Sequence, residues 1–114
     1  MDESLASPLS VLIERADRGW TAEVLEHDLA TQFGHRDDAG HAIGHLLAGH
    51  IACCEDAGVS PWWVRRAPPQ TWRKFLYGVP IALELGEFAM SGRTIALPRV
   101  EARVSRGLPR RRSR

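Results

Sequence analysis

The apolar positions of the chain fall into runs whose period changes near the middle. Leu9, Leu12, Ile13 and Ala16 recur at helical spacing, with Ser7-Pro8 suited to the cap and first position and Arg18-Gly19 to the end. Thr21 can cap a second helix, stapled by Trp20 and Leu25, whose buried side is Val24, Leu25, Leu29 and Phe33 and whose stop is Gly34. The longest periodic stretch is Asp38 to Asp56. Its core stripe is Ala39, Ile43, Leu46, Leu47 and Cys54, with Ile51 and Cys53 at the margin. Asp37 or Asp38 can cap its start, and Gly58 lies where a left-handed residue closes a helix.

After Pro61 the pattern shifts toward strand formers. Trp62 to Arg66 and Trp72 to Tyr77, separated by Ala67-Pro68-Pro69-Gln70-Thr71, predict a β-hairpin with interleaved aromatic and basic residues. Pro80 to Met90 leans toward a short helix, and Ser91-Gly92 is a turn signal. Thr94 to Leu97 reads as strand, as does the alternation of Val100, Ala102 and Val104 with Arg99, Glu101 and Arg103. The expected fold is therefore α+β: three N-terminal helices, a β-hairpin, and a short C-terminal α/β extension. One globular domain spans residues 1–104, and residues 105–114 form a basic, disordered tail.

The polar face of the long helix is unusual. Gly40, Gly44, Ala48 and Ala52 form one ridge at intervals of four, flanked by His41 and His45. Each glycine costs about 1 kcal/mol against alanine in a helix, so the ridge is read as an interface approached closely by a neighbour. That neighbour is another helix, a second copy, a nucleic-acid backbone or another part of the same domain. His50 lies in the apolar stripe, where a histidine packs as a core residue with one hydrogen bond.

Charge refines this picture. The net charge is +1, yet residues 1–60 carry eleven acids and three bases while residues 61–114 carry twelve bases and three acids. A polyanion would be met mainly by the second half. Arg65, Arg66, Arg73 and Lys74 on the hairpin, with Arg110, Arg111 and Arg112 in the tail, are the candidate nucleic-acid contacts. Cys53 and Cys54 are adjacent, so they cannot close a loop, and are expected as two buried thiols in a reduced, cytoplasmic protein. Met1-Asp2-Glu3 lacks the basic start of a signal peptide, and no run approaches the length of a membrane span.

The run Leu29-Ala30-Thr31-Gln32-Phe33-Gly34, a short loop, then Ala42-Ile43-Gly44-His45-Leu46-Leu47 resembles the turn of winged helix-turn-helix DNA-binding domains. The resemblance covers residues 8–78. It implies Ala30 in the corner, Gly34 at the turn, Ile43 and Leu46 seating a recognition helix, and Trp62 to Tyr77 as the wing. It adds Arg36, His41 and His45 to the expected DNA contacts, although such helices usually offer Arg, Lys, Asn or Gln.

His41 and His45 also have the spacing of a helical zinc pair, but Ala42 stands where a zinc peptidase has its general-base glutamate. A further pair of ligands would be needed, with His35, Asp37 and Asp38 nearest in sequence. No metal, no cofactor and no enzyme chemistry is expected. The expected function is a small DNA-binding regulator or accessory protein. The competing expectation is a protein–protein interaction module that inhibits or adapts a nucleic-acid-processing complex through its acidic half, and a homodimer is a further expected assembly.

Overall fold

A computed structural model describes residues 8–62 and 65–107. Its elements are β1 (Leu9–Ala16), β2 (Gly19–Val24), β3 (Leu29–Phe33), a 3₁₀ turn (Arg36–Asp38), α1 (Ala39–Ala57), α2 (Pro69–Leu76), β4 (Val79–Ile81), β5 (Glu87–Met90), β6 (Arg93–Ala96) and β7 (Val100–Val104). The fold class is α+β, but three N-terminal helices do not lead it. Three antiparallel strands come first, and the long helix follows them.

Five strands form one mixed sheet in the order β3-β2-β1-β7-β4, with β1 and β7 parallel. α1 covers one face: Ala39, Ile43 and Leu47 pack on Val11, Ile13, Ala22, Val24 and Ala102. α2 covers part of the other, through Phe75 and Trp72 on Leu12 and Leu25. β1 is thus buried on both faces, and Val11, Leu12 and Ile13 are all within 1% of full burial. This explains the misread period. A strand covered on both sides is a continuous apolar run, and such a run also satisfies a helical template.

The expected end of the first helix is instead a two-residue turn, Asp17-Arg18, closing the β1–β2 hairpin at Ala16 and Gly19. Gly19 has φ +94°, and a Cβ there would stand 2.5 Å from the Phe33 carbonyl oxygen, so the turn requires glycine. β2 shows strict alternation: Trp20, Ala22 and Val24 join the core under α1, while Thr21 and Glu23 turn away.

The expected wing is also absent. Residues 69–76 are helix, with Pro69 in the first turn, and Trp72 and Phe75 are spaced to share the face toward the sheet. The preceding segment hooks onto the β2–β3 turn, Arg65 N donating to the Glu26 carbonyl (3.0 Å) and Ala67 N to that of Leu25 (2.8 Å). Trp63 and Val64 lie outside the described residues. The Pro80–Met90 stretch is not helical either: it holds β4, a connector and β5.

α1 matches its expected limits and ends at Gly58 with φ +73°. Neither Asp37 nor Asp38 makes a side-chain cap bond there. The small-residue ridge faces the β5–β6 hairpin of the same chain. Phe88 packs at Gly44, where a Cβ would lie 3.0 Å from its Cδ2, and Ile95 packs with Ala48 and Ile51. Gly40 lies beside Leu83, and Ala52 borders the Ala48–Ile51–Ile95 cluster. The neighbour that the glycines admit is therefore an intramolecular β-hairpin.

Candidate functional site

α2 owes its position to both ends of the chain. Its last carbonyl groups have no partner within the helix. Arg103 Nη1 donates to the carbonyls of Phe75 (3.2 Å) and Leu76 (3.1 Å), and Arg106 Nε donates to that of Tyr77 (2.7 Å). Arg103 also lies 4.6 Å above the Phe75 ring and is held by Glu101 Oε2 through Nε (3.1 Å) and Nη2 (2.6 Å). Two cations at a helix C-terminus suit its negative dipole end.

With Phe75 and Trp72 turned inward, Gln70, Arg73, Lys74 and Tyr77 share the opposite side of the helix at spacings of three and four. They line one open cleft of about 790 Å³ together with Glu14, Arg15, Ala16, Thr21, Ser105, Arg106 and Gly107. Four of the lining residues are cationic and one is a carboxylate. Lys74 Nζ reaches Glu14 Oε2 at 3.1 Å, a partly exposed pair, while Tyr77 is 70% exposed. A shallower cleft of about 450 Å³ lies on the far side of Arg73 and Tyr77, where Arg66 stacks over Trp72 at 4.5 Å. The chemistry on offer is bidentate guanidinium binding of phosphate beside an exposed aromatic ring.

Other expected contacts are dispersed. Arg65 lies in the loop before α2 and lines a pocket with His27, Asp28 and His50. Arg36 is at the 3₁₀ turn after β3, 5.8 Å above the Trp20 ring. His41 and His45 are exposed on α1, on the opposite layer from α2, with ring centroids 6.4 Å apart and Phe88 within 5.4 Å and 5.8 Å. No group of three or more potential metal ligands forms among the described residues. Arg110, Arg111 and Arg112 lie outside the described residues.

Arg15, Gln70, Tyr77, Arg103 and Arg106 were not among the expected contacts. For Gln70 and Tyr77 a signal existed, since they fall in register with Arg73 and Lys74 once residues 69–76 are taken as helix. The other three join the site through strand pairing. β1 and β7 run parallel, and Ser105 N donates to the Ile13 carbonyl at 2.8 Å, which sets the start of the C-terminal sequence beside Glu14 and Arg15.

His50 is not a core histidine as expected: it is half-buried at the edge of α1 beside His27 and the exposed Trp62, its Nε2 donating to the Pro61 carbonyl at 2.7 Å. Cys54 Sγ lies 3.9–4.0 Å from both ring nitrogens, and is half-buried. Cys53 is exposed, against the expectation of two buried thiols, because it turns away from both the sheet and the hairpin.

No helix among the described residues is long and apolar enough to cross a membrane. No protein-family model, curated protein or solved structure matches the chain.

Proposed function

We propose that this chain is a small, non-catalytic DNA-binding protein, a regulator or accessory factor of the cytoplasm, that grips the phosphate backbone beside α2. The observation that carries the reading is the single stripe Gln70, Arg73, Lys74 and Tyr77 lining one cleft with Arg15 and Arg106. Arg and Gln are the side chains that read guanine and adenine edges bidentately, and Lys, Arg and Tyr contact phosphates. Gly107 forms part of the same cleft. The two free cysteines suit a reducing compartment. The acidic residues Asp37 and Asp38 sit at the other layer, at the start of α1, away from this stripe.

The test is fluorescence anisotropy with a labelled duplex of about 20 base pairs, titrated at several salt concentrations. Affinity should fall linearly with salt on logarithmic axes, because association releases counterions. The double variant Arg73→Gln, Lys74→Gln should bind more weakly and flatten that slope by about 2, near 0.9 for each lost phosphate contact. Circular dichroism should show the variant folded, since both side chains are exposed. A wild-type protein that does not bind the duplex sinks the reading. Binding that survives the double variant with an unchanged slope removes α2 from it.

A further inference from the structure

Trp20 stands beside the turn of the β1–β2 hairpin, paired across the ladder with Arg15 on one side and Phe33 on the other. Two guanidinium groups converge on its indole: Arg15 at 5.7 Å and Arg36 at 5.8 Å from the ring centroid. The ion pairs among the described residues are Lys74–Glu14, Arg93 with Glu55 and Asp56, and Arg103–Glu101. Neither Arg15 nor Arg36 takes part in these pairs, and both are exposed. Attraction to the ring steadies each guanidinium. Each carries five N–H donors that an anion can take. An anion's oxygens would take charge-assisted hydrogen bonds from either guanidinium. Asp37 and Asp38 follow Arg36, but they open α1, whose positive dipole end offsets part of their charge.

Arg15 also lines the cleft beside α2. The register that pairs Arg15 with Trp20 sets the indole cluster on the α1 face, whereas the cleft with Glu14 and Thr21 lies on the α2 face, so the two meet at the β1–β2 end of the sheet. We infer that Arg15, Trp20 and Arg36 form a second phosphate-binding station, and that the ligand is a nucleic-acid strand running from α2 past the β1–β2 turn to the 3₁₀ turn. The inference rests on the DNA-binding reading and adds its path: the ligand must carry phosphates in series, so a mononucleotide occupies one station only.

Arg36 decides the matter, because it belongs to the new station and not to the cleft. In the anisotropy titration with the same duplex, Arg36→Gln should lower the salt slope by about 0.9 and weaken binding. Arg93→Gln, an exposed arginine on β6 that lines neither the cleft nor the ring cluster, should leave both unchanged. Shortening the duplex stepwise should reduce the wild-type slope to that of Arg36→Gln once the second station is no longer spanned. If Arg36→Gln matches wild type while the Arg73, Lys74 double variant loses affinity, the station is wrong and the α2 reading stands. If Arg93→Gln and Arg36→Gln lower the slope equally, the effect is diffuse charge and the station is overturned. If the wild type binds no duplex, the underlying reading has failed and takes the station with it.

Discussion

Gly44 decides how closely the hairpin can approach α1. A Cβ at this position would stand 3.0 Å from Phe88 Cδ2 and 3.3 Å from Cε2. Gly44→Leu should therefore overpack the contact and cost about 1–3 kcal/mol, read as a lower melting temperature with no change in assembly state. Adding Phe88→Ala should return part of that loss, because the side chain that clashes is gone. Additive losses in the double variant would show that Phe88 is not the obstacle. Glu23 gives a second test, through pH. Half-burial raises its pKa most, the charges of Asp28 and Glu14 raise it further, and Lys74 opposes them. A carboxyl whose folded pKa is raised favours the fold in its protonated form. Its contribution is full below the ordinary glutamate value and is lost as pH rises through the folded value. Glu23→Gln should therefore melt higher than wild type at neutral pH, and the gap should close in acid. A variant that melts lower at pH 7 would show that attraction to Lys74 outweighs burial.

At the scale of elements, α2 is the piece that depends most on its surroundings. Eight residues are too few to hold a helix in water without tertiary support. Support comes from Phe75, 4% exposed among Leu12, Leu25 and Ala67, and from the carbonyl bonds of Arg103 and Arg106. Phe75→Ala should cost about 3–5 kcal/mol in urea unfolding and loosen the cleft beside α2, although no charge is removed. A loss well under 1 kcal/mol would mean that α2 is not docked through this ring. This dependence is also why α2 was hard to read from sequence. Trp72, Phe75 and Tyr77 are strand formers by propensity, whereas the three-residue spacing of Trp72 and Phe75, decisive in the fold, is a weak signal in so short a run. α1 was legible because it is long, keeps one apolar stripe and ends at Gly58. β7 was legible because Val100, Ala102 and Val104 alternate cleanly with polar residues. β2 also alternated, yet Thr21 and Trp20 imitated a cap and staple and hid it. Arg73 and Lys74 were legible as charge. Arg15 and Arg106 belong to the site only because residues far apart in sequence pair in parallel, which no local pattern reports.

The whole molecule is held by that long-range pairing. β7 sits between β1 and β4, so the chain must return from residue 100 to its first strand before the sheet is complete. Between β4 and β7 it makes an excursion through β5 and β6, which form a separate two-stranded sheet. That hairpin is tied to the rest by Phe88, Met90, Ile95 and Leu97 against α1, and by the exposed pairs of Arg93 with Glu55 and Asp56. Exposed ion pairs contribute about 0–1 kcal/mol, so the apolar seat on Gly44 and Ala48 does most of the holding. β1 is the opposite case, hydrogen-bonded on both edges and covered on both faces. Protection against amide exchange should follow this order. Interior amides of β1 and β7 should exchange only through global unfolding, and those of β5 and β6 through a cheaper local opening that lifts the hairpin from α1. The measurement is native-state hydrogen exchange across low denaturant. Hairpin amides should show little denaturant dependence, because little surface is exposed when they open, while β1 amides should track the global transition. Hairpin amides that merge with β1 at every denaturant concentration would mean that the excursion and the sheet fold as one cooperative unit.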